Sequence, residues 1–205
     1  MWEINGIRGR GQAPPGCAGR YSGSLVILGS AENVWTDLES FEREFKPVSS
    51  RVDTMALNYV VCHYPGSIDH VATLHPRKLH HWLSLRGGDR DGVVLTHAHK
   101  RRRDVACVWN LLSETICGTS ALFAAKVALA LGYQRVVLCG VPLDSRRCFY
   151  DPPGARYDYT RDEIPAYWSK FASEISNDRV KSMSGLSAAT LGSPTVEWLK
   201  GGAAR

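Results

Sequence analysis

Residues 118–140, GTSALFAAKVALALGYQRVVLCG, constrain the fold more than any other part of this chain. The stretch 121–131 is built from Ala, Leu, Val and Phe with Lys126 as its one charge, a composition that strongly favours helix. Thr119 and Ser120 supply capping hydroxyls at its start, and Gly132 supplies a left-handed stop at its end. Arg135–Cys139 (RVVLC) then reads as a buried strand closed by Gly140. A strong helix running straight into a buried strand is half of a β-α-β crossover, the unit that builds parallel sheets covered on both faces.

The rest of the chain repeats this alternation. Ser24–Leu28 (SLVIL) is too short for a helix and rich in strand formers, and Gly29-Ser30 breaks it. Val34, Leu38, Phe41 and Phe45 then recur on one helical face, with Ser30 placed to cap, Glu32 in the first turn and Pro47 at the end. Strands are expected at 54–57, ending at Asn58, at 70–74, ending at His75-Pro76, and at 92–95, ending at Thr96-His97. A helix with Leu79, Trp82 and Leu83 inward lies between the last two, closed by Gly87-Gly88. Residues 105–109 suggest a further strand and 144–163 an irregular loop. A helix at 164–175 should turn Tyr167, Trp168, Phe171 and Ile175 inward, ahead of a last strand at 179–183 and a short helix to Leu191. The expected fold class is α/β, a Rossmann-like three-layer sandwich with a mostly parallel sheet. Residues 24–200 form one domain in this reading, 1–23 a flexible Gly/Pro/Arg-rich arm suited to a protein partner, and 201–205 a frayed tail.

Hydrophobic residues at 44% against 22% charged fit a globular chain rather than a disordered one. No apolar run approaches the roughly 20 residues of a membrane helix, and 1–23 has no apolar signal-type core. None of the six cysteines (Cys17, Cys62, Cys107, Cys117, Cys139, Cys148) forms a CxxC pair, so a zinc knuckle is not expected. Several sit in apolar runs as small hydrophobes, consistent with a reducing cytoplasm. A net charge of +5 suits an anionic ligand.

In open parallel sheets ligands bind outside the carboxyl ends of the strands. Here those ends carry Gly29-Ser30, Asn58, His75, His97, residues 140–144 (GVPLD) and residues 182–185 (SMSG). Gly29-Ser30 before a helix offers free N–H groups to a phosphate, as does Thr119-Ser120 before the Ala-rich helix. Neither GxGxxG nor GxxxxGK[ST] is present, which disfavours a standard NAD site and a Walker ATPase. His75 and His97 follow strands and are candidates for acid–base work. His80-His81 and the His97-x-His99 pair lack a convergent third ligand, so no metal site and no cofactor is expected. Residues 100–103 (KRRR) form the one charge run, a solvated turn or a phosphate neutraliser. With no interleaved aromatics, they do not indicate nucleic-acid binding.

Residues 118–144, GTSALFAAKVALALGYQRVVLCGVPLD, resemble the core segment of small bacterial sialyltransferases: a Thr-Ser turn opening an Ala-rich helix, then LGY, an apolar strand and a Gly-x-Asp-like end. LVILGSAENVWTDL (25–38) is similar to their N-terminal strand and nucleotide turn, MALN (55–58) to the strand whose terminal Asn contacts a cytidine nucleotide, and ATLHP (72–76) to a strand ending in Asn-Pro. The pattern is shared with a wider pterin pyrophosphokinase-like group and with short phage-encoded proteins of unassigned activity. The resemblance implies a pocket for a nucleotide or sugar nucleotide lined by Gly29, Ser30, Asn58, Thr119, Ser120, Gly140 and Asp144. It implies lid tyrosines, here Tyr150, Tyr157 and Tyr159, beside the leaving-group phosphate. Two departures stand out. Ser30-Ala31-Glu32 replaces a Gly-Pro-Ser turn, and no histidine follows Asp144, where the family's lid carries its catalytic one.

The expectation is a nucleotide-sugar-dependent glycosyltransferase-like protein with an unspecified acceptor, His75, His97 or a lid tyrosine handling protons. The alternative is a non-catalytic nucleotide-binding or structural protein that retains the fold, and the missing lid histidine favours it. Pyrophosphoryl transfer ranks third: it needs Mg²⁺ held by carboxylates, and Asp144 has no clear second acid beside it.

Overall fold

The computed structural model describes residues 1–45, 47, 51–86, 93–111, 119–157, 163–175 and 178–201. The chain runs β1 (Trp2–Ile4), β2 (Ile7–Gly9), β3 (Ser24–Leu28), α1 (Val34–Phe45), β4 (Val52–Leu57), a 3-10 turn (Asn58–Cys62), β5 (Ile68–Thr73), α2 (Leu79–Leu85), β6 (Val93–Ala98) and β7 (Cys107–Val108). It continues through α3 (Ser120–Leu131), β8 (Arg135–Cys139), α4 (Ile164–Glu174), β9 (Val180–Ser182), α5 (Gly185–Leu191) and α6 (Val196–Lys200). Seven strands form one sheet in the order β7-β6-β5-β4-β3-β8-β9, every neighbouring pair parallel. Within this sheet the path starts at β3, steps outward to β7, then returns through α3 to lay β8 on the other side of β3.

Side chains of a strand alternate between faces, so each central strand feeds two cores. Leu25, Ile27, Met55, Leu57, Val136 and Leu138 pack under α3, α4 and α5. Val26, Leu28, Ala56, Val71, Val137 and Cys139 pack against α1, α2 and α6. Helices thus cover both faces, giving the three layers expected.

Helix α3 is buried on every side from Ala121 to Leu131, Lys126 included. Only one of its faces can rest on the sheet, so something must cover the opposite one. Part of that cover is the segment expected to be a mobile arm. Residues 1–23 are instead packed down: β1 and β2 form an antiparallel hairpin, and Ile7 and Cys17 are buried in the core beside α3. The Asn5 side chain donates to Leu129 O at 2.8 Å, Gly19 N to Ala130 O and Tyr21 N to Leu131 O, both at 2.9 Å, which satisfies carbonyls at the end of α3. Cys17 is disulfide-bonded to Cys107, a pairing that the reading of the cysteines as small hydrophobes in a reducing setting does not anticipate. Cys139 and Cys148 are free and buried, and Cys62 is free and half-buried. Cys117, Tyr159, Gly118 and Gly87-Gly88 lie outside the described residues.

Smaller differences have local causes. Helix α1 starts at Val34 and the carbonyl of Ala31, not a Ser30 side chain, accepts from Val34 N. The helix α6, stapled by Arg135 through its Trp198 carbonyl and ring, carried too short a pattern to be read.

Candidate functional site

The order of strands reverses between β3 and β8. Such a switch point opens a crevice at the carboxyl ends of the strands. A cleft of about 290 Å³ occupies it. Gly29 and Ser30 from β3, Asn58 from β4, His75 from β5, Thr119 and Ser120 at the start of α3, and Gly140 and Asp144 from β8 all line this cleft. Residues from five separate stretches of sequence converge on one hollow.

Two glycines make the crossing possible. Gly29 N donates to Cys139 O at 2.8 Å and Ala31 N to Gly140 O at 3.2 Å, so the two loops lie backbone to backbone. A Cβ on Gly29 would sit 2.3 Å from Gly140 O; one on Gly140, whose φ is +67°, would sit 2.4 Å from the Val34 Cβ. No other residue fits either place without displacing backbone. Asp37 fixes the junction from below. Its buried carboxylate accepts from Gly140 N at 2.9 Å, Ser184 Oγ at 2.7 Å and Asn33 Nδ2 at 2.9 Å, tying α1 to the ends of β8 and β9. Of residues 182–185, expected on the polar rim, Ser184 serves this bracing role, and none of the four lines the cleft.

Glu32 is exposed and pairs with Arg147 at 2.9 Å, beside the bridge between Ala31 and Cys148. The acid in the nucleotide-like turn is thereby neutralised and forms no wall of the cleft. Thr119 caps α3, its Oγ1 accepting from Leu122 N at 3.2 Å. The amides of Ser120 and Ala121 are then the ones a helix start leaves without intrahelical acceptors, and both residues border the cleft. Asn58 sits at φ +50°, and its Oδ1 accepts from Thr73 Oγ1 at 2.7 Å and Ser120 Oγ at 3.4 Å. With its oxygen engaged, the carboxamide has two N–H donors left to offer. Thr73 Oγ1 in turn accepts from His75 N at 2.8 Å, which fixes the His75 backbone at the rim.

His75 is exposed at the cleft, and partial desolvation, with Lys78 nearby, lowers its pKa below the usual value. Its ring is neutral at pH 7 and able to accept a proton. Arg146 was not singled out from the sequence; it lines the cleft and pairs with Asp144 at 3.1 Å, while Asp144 Oδ1 also accepts from Arg146 N. Its signal was a cation two residues after the Gly-x-Asp-like end.

The other acid–base candidates are elsewhere. His97 lies inside β6 rather than after it and is fully buried. It is hydrogen-bonded to His70 at 3.0 Å and to Trp109 Nε1 at 3.0 Å, a core position with no access to the cleft. Tyr150 follows Cys148, a cleft residue, but packs outside the lining against Tyr59 and Phe149. Tyr157 is exposed further along the same loop, near Asp151. Tyr159 is outside the described residues. Among the described residues no cluster of three His, Cys, Asp or Glu side chains is arranged to hold a metal ion. No helix among them is long and apolar enough to cross a membrane.

The fold, an α/β three-layer arrangement, is similar to that of two solved glycosyltransferase structures. One is the sialyltransferase CstII from Campylobacter jejuni in complex with a substrate analogue, cytidine-5'-monophosphate: TM-score 0.56, 12% identity, 85% of this chain and 86% of that one covered. The other is the MAf glycosyltransferase from Magnetospirillum magneticum AMB-1: TM-score 0.54, 15% identity, 88% of this chain covered. The chain spans about a third of the latter, 35% of its length. No family model and no curated protein matches the chain.

Proposed function

We propose that the cleft at the switch point binds a nucleotide or nucleotide sugar, a cytidine nucleotide first among them, and that the protein is a nucleotide-sugar-dependent glycosyltransferase. The observation that carries this reading is the convergence of Ser30, Asn58, Thr119 and Ser120 on one hollow. The donors there divide by type. Free amides at the start of α3, two hydroxyls and the Arg146 guanidinium suit phosphate oxygens. The Asn58 N–H groups suit the carbonyl and ring-nitrogen acceptors of a pyrimidine. That a neighbour of the same fold was solved with cytidine-5'-monophosphate supports the pyrimidine preference. His75, neutral and at the rim, is the proton acceptor for an incoming hydroxyl; Arg146 stabilises charge on the departing phosphate.

Binding without transfer is the second reading, favoured by the sequence containing no histidine after His99. Isothermal titration with CMP, UMP and AMP tests the site, and release of CMP from a CMP-linked sugar tests the chemistry. The proposal requires saturable CMP binding that weakens in Asn58→Ala, and turnover that falls in His75→Ala with CMP affinity retained. Binding without turnover establishes the second reading; absence of nucleotide binding overturns both.

A further inference from the structure

The charge run at Lys100–Arg103 remains unabsorbed by the cleft, and the fold gives it neighbours. Strands β5 and β6 are parallel and in register, with Thr73 opposite Ala98, so the segments that follow them leave the sheet side by side. After β5 come His75, Arg77 and Lys78; after β6 come His99 and residues 100–103. Arg77, Lys78, Lys100, Arg101, Arg102 and Arg103 are all exposed. Among the described residues none of the six is held in an ion pair.

This surface is built, not frayed. Val105 N donates to Arg102 O at 3.1 Å and closes the turn. Thr96 Oγ1 donates to Asp104 O at 2.5 Å and accepts from Ala106 N at 2.9 Å, clamping both sides of the turn to β6. Asp104 accepts from His80 of α2 at 3.1 Å, which fastens the second cationic segment to the first. The acid of the run is thereby turned toward α2. The cationic ledge adjoins the cleft through His75, which belongs both to the cleft wall and to the turn carrying Arg77 and Lys78.

We propose that this ledge is the docking surface for an acidic acceptor saccharide, a chain carrying a carboxylate on successive sugars, whose end reaches the cleft past His75. The role as acceptor rests on the donor-cleft reading; the binding itself does not. Six unneutralised cations on two anchored turns present a field that a neutral glycan leaves uncompensated. Neither turn, 75–78 or 99–104, contains a Phe, Tyr or Trp to stack bases, so the two turns lack what single-stranded nucleic acid requires. The same two turns carry no large apolar side chain to anchor in a membrane surface.

The test uses a tetragalacturonate, with maltotetraose as the neutral control and oligothymidylate as the nucleic-acid control, each titrated with the intact protein. The acidic tetrasaccharide should bind saturably, and about tenfold more weakly when salt rises from about 50 to about 200 mM. Lys100→Gln/Arg101→Gln/Arg102→Gln/Arg103→Gln should weaken it at least about tenfold while CMP affinity and the melting temperature stay unchanged. Arg77→Gln/Lys78→Gln should weaken it independently. Failure of the wild-type protein to bind tetragalacturonate, equal binding of maltotetraose, tighter binding of oligothymidylate, or undiminished binding by both variants overturns the proposal. Loss of CMP binding with tetragalacturonate binding intact overturns the donor cleft and leaves the ledge standing.

Discussion

Acidification should destabilise this protein through two buried histidines, and the structure fixes both sign and size. Trp109 Nε1 can only donate, so His97 Nδ1 accepts, and the proton of the neutral His97 ring sits on Nε2. Nε2–H then donates to His70 Nδ1, His70 Nε2–H donates to the Tyr133 hydroxyl at 2.8 Å, and Tyr133 donates to Asp53 at 2.6 Å. Every acceptor in the chain is taken, so a proton added to either ring sets donor against donor. Burial is the main force against such a proton, lowering His70 to about 4 and His97 well below its usual value. In the unfolded chain both titrate near 6.5. The unfolded state therefore binds more protons below that pH, and stability present at neutrality is lost as pH falls. Between about pH 7.5 and about pH 5.5 an unfolded histidine takes up most of a proton, worth about 1.4 kcal/mol, so the pair removes about 2.8 kcal/mol. Urea unfolding across that interval, above the range where carboxylates titrate, measures it. A flat stability profile, or native histidine resonances titrating near 6.5, would refute the reasoning.

Three other perturbations follow from the cleft and its supports. Gly140→Ala places a side chain at φ +67° and 2.4 Å from the Val34 Cβ, and should cost about 3 kcal/mol in thermal unfolding; a loss under about 0.5 contradicts the crossing geometry. Asp37→Ala strips an acceptor from Gly140 N, Ser184 and Asn33, and should cost about 3 kcal/mol or more and weaken CMP binding in the same titration. Peptide mapping without reductant should recover Cys17 linked to Cys107, and Cys17→Ser should lower stability by up to about 4 kcal/mol, given the 90-residue separation.

The architecture was legible because its signals are local. The apolar runs at 24–28 and 135–139 and the caps around 121–131 name strands and a helix without knowledge of neighbours. The polar residues ending each strand were legible for the same reason, and the strand-end rule assembled them. His97 illustrates where this stops. β6 extends two residues past Thr96, to Ala98, and that extension moves His97 from a strand end to a strand interior; nothing in the sequence marks it. The N-terminal segment was misread on composition alone. Its glycines and prolines suggest mobility, while its true role is set by α3, whose lack of a polar face demands a cover. Asp37 acts through long-range contacts, with Gly140 lying 103 residues beyond it, and no spacing reveals such a pair.

Amide chemical-shift mapping with CMP addresses the central claim most directly. Saturable shifts concentrated at Ser30, Asn58, Ser120, Ala121 and Gly140, and absent along β1, β2 and α4, are the expected result. Shifts on another face, or none at millimolar nucleotide, would mean that the polar strand ends converge for packing alone.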